Sequence, residues 1–319
     1  MTVVGGAGVL AVHLTGTNDG GSTSVLLEGT GAATVDGGSI SDRTKVTVLG
    51  QVNTTNVLTL TGPSDMTVVG GNSNLNFTGG NTMLVLNGAG QGAAAIYSTG
   101  NDTVLAGAPK VDFYASTGSD VITGGSGNLD VHTSGVADGG TTTVLAGSGL
   151  TTVEGGAKNQ EIHTGSGATT VFAGSSHQDV QVTGTGSVVV VGNAAAASQS
   201  INDLGTSATN LSFWGGAGQA TLALGQSNSS VVVGTGASTI TGGSGSLYLS
   251  LSNGGLTHLS MSGLTGGSAT VNGFNANDTV AFTGGAVATV QSGGVLVALA
   301  DGHNVMFNGL TSTHGFTFG

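Results

Sequence analysis

The chain has 319 residues, a formal net charge of −12 at pH 7 and only four basic residues, Arg43, Lys45, Lys110 and Lys158. These cations are too few and too scattered to neutralise a run of phosphates, so a nucleic-acid partner is excluded, and with no cysteine in the chain disulfide, zinc-thiolate and thiol-nucleophile chemistry are excluded together. Sixty-two glycines beside only two prolines and 38% hydrophobic residues fit neither a collagen triple helix nor a disordered polar chain.

Residues 1–60 follow a nine-residue spacing only intermittently, as in Gly29-Thr-Gly-Ala-Ala-Thr-Val35, and are expected to form irregular, wider coils. The N-terminus Met1-Thr-Val-Val-Gly-Gly lacks the basic and apolar regions of a signal peptide. No run of the chain reaches the eighteen apolar residues of a membrane helix, so membrane insertion is not expected. The runs Thr2-Val-Val4 and Val9-Leu-Ala-Val12 are strand-prone and are candidates for pairing with a neighbouring molecule.

Residues 61–252 carry the main repeat. Apolar residues begin it at Val68, Phe77 and Leu86, continue nine apart at Val104, Phe113, Ile122 and Val131, and resume after a four-residue insertion at Val144, Val153, Ile162, Val171 and Val180. A second insertion over 192–212 precedes Phe213, Leu222, Val231, Ile240 and Leu249. Each lies in a short β-prone run, and glycine-bearing turns such as Thr-Gly-Ser-Gly (164–167) separate the runs. Connections this short cannot hold a crossover helix between parallel strands. Stacked coils of about eighteen residues with two strands each solve the problem, with side chains alternating inward and outward. This predicts an all-β chain, a right-handed parallel β-solenoid (β-roll or β-helix) with ten or eleven turns between 61 and 252, whose glycines supply positive φ at the corners. No helical periodicity is sustained anywhere. Residues 253–319, with Phe274, Phe282, Phe307, Phe316 and Phe318 concentrated there, read as a small C-terminal β-rich cap.

The best-formed repeats, Gly215-Gly-Ala-Gly-Gln-Ala-Thr-Leu-Ala223, Gly242-Gly-Ser-Gly-Ser-Leu-Tyr-Leu-Ser250 and Ala115-Ser-Thr-Gly-Ser-Asp-Val-Ile-Thr123, resemble the G-G-x-G-x-D-x-U-x nonapeptide of repeats-in-toxin proteins. In that family the sixth-position Asp binds Ca²⁺ between adjacent turns. Here only Asp102 and Asp120 occupy it; elsewhere it holds Thr151, Gln160, Thr169, Gln178, Ser229 and Ser238, or apolar Leu75, Leu84, Val111, Leu129 and Leu247. The resemblance therefore implies at most one residual metal site, Ca²⁺ at Asp102 and Asp120, which eighteen-residue spacing stacks on the same side. The alternative role for these two residues is hydrogen bonding to local backbone amides. No cofactor is required on this reading. The segment Val271-Asn-Gly-Phe-Asn-Ala-Asn-Asp-Thr-Val280 through Leu299-Ala-Asp-Gly-His-Asn-Val-Met-Phe307 is similar to the ends of chains exported by bacterial type I secretion, which implies an extracellular, cell-surface or matrix location.

Catalytic chemistry finds little support. Seven histidines form no H-E-x-x-H pair; His163 and His177 stand near Glu161 and Asp179 on neighbouring turns but read as outward decoration. Stacked Glu154 and Glu161 approach a paired-acid arrangement, yet one Trp, Trp214, and three Tyr make a poor sugar platform. Gly-x-Gly recurs every turn as a corner device, without the lysine of a phosphate loop. No catalytic or cofactor-binding residue is expected, and the chain is read as a non-enzyme. The leading expectation is a self-assembling structural protein, a homopolymer with head-to-tail contacts, forming a fibre, matrix or surface layer. The alternative is an adhesin or an ice-binding face built on Thr151-Thr152 and Thr169-Thr170, with cell-surface or matrix polysaccharide as partner. A polysaccharide-acting β-helix enzyme ranks lowest.

Overall fold

A computed structural model describes residues 2–13, 22–27, 31–36, 45–50, 57–62, 66–69, 74–79, 82–86, 93–107, 110–133, 139–193, 198–205, 209–251, 255–261 and 267–319. Among these residues every regular element is a β-strand and none is helical. The chain forms a β-solenoid of stacked parallel sheets, and it divides into two compact units, Met1–Glu161 and Ile162–Gly319. Between residues 61 and 252 the turns are present as twenty strands, Met66–Val69 through Leu247–Ser250.

In the N-terminal unit, alternate strands feed two sheets. Sheet A runs from Thr2–Gly5 through Ser22–Leu27, Lys45–Gly50, Met66–Val69, Met83–Leu86, Thr103–Ala106 and Asp120–Thr123 to Thr141–Leu145. Sheet B runs from Leu10–His13 to Thr151–Glu154. All these pairings are parallel. The first sixty residues belong to the same ladders: Leu10 pairs with Ala33 and Ala33 with Leu58, steps of 23 and 25 residues, so the extra residues of these wider coils go into the connections.

The apolar ladder forms the core. Val104, Phe113, Ile122, Val131, Val144 and Val153 in this unit are fully buried, as are Ile162, Val171, Val180, Phe213, Leu222, Val231, Ile240 and Leu249 in the other. Each contributes about 1.5–3 kcal/mol by leaving water. One register differs from the expectation. The side of the ladder carrying Val68 continues through Leu84, not Leu86, into Val104, because the residues between the strands at 66–69 and 83–86 are fewer than a strict eighteen-residue coil requires. Leu86 is buried two positions further along, opposite Ala106.

In the C-terminal unit, parallel stacking ends in a different motif. Val287–Gln291 and Gly294–Ala298 form an antiparallel hairpin across a two-residue turn in which Gly293 has φ 111°. Gly294–Ala298 then pairs antiparallel with Asn304–Asn308, which rejoins the solenoid beside Ala269–Asn272, and Phe316–Phe318 pairs with Thr279–Phe282. Phe274, Phe282, Phe307 and Phe316 pack edge to face or tilted, with ring centroids 4.7–6.1 Å apart, and Phe318 stacks on Phe282. These phenylalanines form one aromatic cluster beside the antiparallel hairpin.

The corner glycines act differently from the expectation. Among the described residues of the repeat turns, positive φ is confined to Gly118 and Gly139. At Gly234 φ is ordinary, but an added Cβ would overlap the carbonyl oxygen of Gly216 on the preceding turn. Glycine is needed there because rungs stack with their turn backbones in direct contact.

Candidate cation site

The register that pairs Thr103 with Val121 sets Asp102 beside Asp120 on adjacent turns of sheet A. Each Asp is two residues ahead of a core residue, Val104 and Ile122, so strand alternation sends both side chains inward. Both are essentially inaccessible to solvent. The Thr82 amide donates to Asp102 Oδ1 at 2.7 Å; the Asp102 amide and the Ser98 hydroxyl donate to Asp120 Oδ1 at 3.1 and 2.9 Å. These bonds tie three consecutive turns together. Burial pushes the Asp102 carboxyl up to about 6, and the neighbouring Asp120 carboxylate acts in the same direction.

A third charge completes the cluster. Lys158, just ahead of the strand Asn159–His163, sends its side chain back along the solenoid interior. Its ammonium donates to the Gly118 carbonyl, and Nζ lies 3.8 Å from Asp120 Oδ2, with both side chains wholly inaccessible. Calcium takes six to eight oxygen ligands. Here the carbonyl and the carboxylate that converge at this turn already receive an ammonium, and Asp102 Oδ2 is buried without a hydrogen bond. Among the described residues no three acidic, histidine or cysteine side chains gather anywhere. The donor set fits a monovalent, tethered cation and does not assemble a calcium shell.

Asp102 and Asp120 belong to a longer feature. The inward position that opens the sheet A strands holds Thr82, Asp102, Asp120 and Thr142 in the N-terminal unit. In the C-terminal unit it holds Gln178, Gln199, Ala220, Ser238, Thr257 and Asp278, all but Ala220 polar and all buried. The equivalent sheet B position is mostly apolar, with Val111, Leu129, Leu211 and Leu247. The sixth position of the nonapeptide therefore sorts by sheet only in part, since Thr151, Thr169 and Ser229 are polar and buried on sheet B, and Leu84, expected there, occupies the core ladder instead. Asp278 is held by backbone amides: its oxygens accept the Thr257 and Asn275 amides at 3.0 and 2.9 Å, while burial raises its pKa. Asp203 likewise takes the Gly205, Gly225 and Ser227 amides.

The other candidates are dispersed. Glu154 is exposed on sheet B and bonded to His132, whereas Glu161 follows on a strand of the opposite sheet, so the two do not form a paired-acid site. His177 bonds Ser198 at 2.7 Å. Thr151 and Thr169 are buried, leaving only Thr152 and Thr170 of those pairs facing outward. No protein-family model and no curated protein matches the chain. One outward feature had no clear sequence signal: Tyr97, Tyr114 and His132 stack ring on ring at 4.8 and 4.7 Å, beside Lys110, whose ammonium spans Asp112 and Asp130 at 2.9 and 3.3 Å. Their spacings of 17 and 18 residues match one turn, but aromatic identity alone did not mark them as neighbours.

Proposed function

We propose that the chain is a secreted structural protein that assembles with copies of itself into an extracellular fibre, matrix or surface layer. The observation that carries this reading is the hairpin strand Val287–Gln291. Among the described residues it pairs only with Gly294–Ala298, and its sequence Val-Ala-Thr-Val-Gln holds no charge and no proline. Val287 and Val290 are 65% and 54% exposed. An uncharged, apolar sheet edge with unpaired backbone groups is a template for another strand, and soluble monomers ordinarily block such edges with lysine, proline or a bulge. The nonapeptide resemblance to repeats-in-toxin proteins and the type I-like C-terminal segment support the extracellular location. Because a lysine supplies the cation at Asp120, assembly on this reading needs no Ca²⁺.

The test is electron microscopy of the purified full-length protein at neutral pH, once with millimolar Ca²⁺ and once with a chelator. Filaments or sheets in both conditions are expected. Assembly only with Ca²⁺ would transfer the central role to a metal, and monodisperse particles in both would overturn the structural reading. In that event a glycan-binding module is the reading to pursue, since Asn210, Ser212, Asn228, Ser230, Ser246 and Tyr248 line a shallow, uncharged groove on the C-terminal unit.

A further inference from the structure

Two outward columns of sheet A in the N-terminal unit separate this face from the rest of the molecule. Register aligns Val4, Leu26, Leu49, Val85, Leu105 and Leu145 in one column, with Thr123 at an intervening rung and the backbone of Val69 in register with Leu49 and Val85. Val4, Leu49, Leu105 and Leu145 are exposed large hydrophobics, at 56%, 39%, 37% and 36%. The column beside it, two residues earlier on each strand, carries Thr47, Thr67, Thr103 and Thr143 among its eight members. Neither column contains an acidic or basic residue. Sheet A of the C-terminal unit is unlike it, presenting Asp179, Gln181, Asn202 and His258 in outward positions.

We propose that this aliphatic and threonine face is the lateral contact between copies of the chain, packed sheet against sheet. The proposal deepens the self-assembly reading and rests on it. Three arguments select a second copy as the occupant. A solenoid of the same period presents rungs at the same spacing of about 4.8 Å, so side chains of two such faces interdigitate along their full length without drifting out of step. Eight rungs by two outward columns cover about 34 Å by about 14 Å, close to 500 Å² a side, which brings the pair to about 1,000 Å², the lower bound of a specific interface. Finally, the chain carries a net charge of −12, and two like-charged molecules approach most easily through a face that holds none of it.

Analytical ultracentrifugation and electron microscopy of the full-length protein test this, comparing the wild type with L49E/L105E and with the control T221E/T239E on sheet A of the C-terminal unit. Both pairs replace side chains that already reach solvent. L49E/L105E is expected to weaken association by about a hundredfold or more, because paired faces would bury its carboxylates without partners, while T221E/T239E associates like the wild type. Circular dichroism checks that each variant keeps its strands; if L49E/L105E does not, Val4→Glu at the edge of the column gives the same reading. If the wild type assembles and the face variants assemble equally well, self-assembly stands and this face is not the contact. If the wild type stays monomeric at every concentration, both fall together.

Discussion

Lys158 is the residue on which the buried charges of the N-terminal unit turn. Its ammonium and the Asp120 carboxylate have both left water, so each depends on the other, the ammonium also on the Gly118 carbonyl and the carboxylate also on the Ser98 hydroxyl and the Asp102 amide. Lys158→Met keeps the stem and removes the charge; it is expected to cost about 3–5 kcal/mol, the penalty for leaving one member of a buried pair alone. Adding Asp120→Asn should restore much of that loss, measured as the coupling energy in denaturant unfolding. The wild-type unfolding midpoint should be the same in chelator and in Ca²⁺. Asp102 adds a pH dependence whose sign is set by its raised pKa. The folded carboxyl, at about 6, holds its proton more tightly than the unfolded one at 3.8. The folded state therefore gains relative to the unfolded below about pH 4, and this gain is lost as pH rises through about 6, a difference of about 2–3 kcal/mol. Asp102→Asn should flatten stability between pH 4 and 7 and leave the variant more stable than the wild type at pH 7.

At the scale of strands and turns, the sequence showed the core and concealed the corners. Periodic Val, Ile, Leu and Phe marked every core rung from Val104 to Val180, because the central inward residue of each of these strands is apolar even where the inward residue that opens the strand is polar. Leu86 stood in the expected ladder where Leu84 belongs because counting by nines cannot see a shortened connection; only the pairing of Leu84 with Val104 fixes it. Lys158 was invisible for a related reason. Its partners lie 40 residues away, two turns back along the axis, and no local pattern announces a side chain that runs parallel to the stack. Stacking of Asp102 on Asp120 was legible from an eighteen-residue spacing, whereas the lysine ammonium beside Asp120 was not. The turn glycines make the same point energetically. Replacing an unstrained glycine by alanine ordinarily stabilises by about 0.4–1 kcal/mol through the unfolded chain. Gly8→Ala, with open space at its Cβ, should follow that rule. Gly234→Ala should reverse it by about 1–3 kcal/mol, since its Cβ must force Gly216 off the rung below; urea unfolding of the two variants distinguishes close approach from turn conformation.

Over the whole molecule, stacking makes stability local. Each rung is hydrogen-bonded to the rungs on either side and to little else, so free energy is a sum of rung and nearest-neighbour contributions instead of one cooperative total. A lesion should then weaken its own neighbourhood and leave distant rungs intact. Phe307 tests this because it is fully buried and touches Phe274, Phe282 and Phe316, joining the strand Asn304–Asn308 to the last parallel rungs. Phe307→Ala removes about 3–5 kcal/mol of packing and cavity energy from that end. Hydrogen exchange should show protection falling sharply in Ala269–Asn272, Thr279–Phe282 and Asn304–Asn308, while amides of Asp120–Thr123 and Leu129–His132 keep their wild-type rates. Uniform loss of protection across both units would instead mean that the solenoid unfolds as one body, and the additive account of its stability would be wrong.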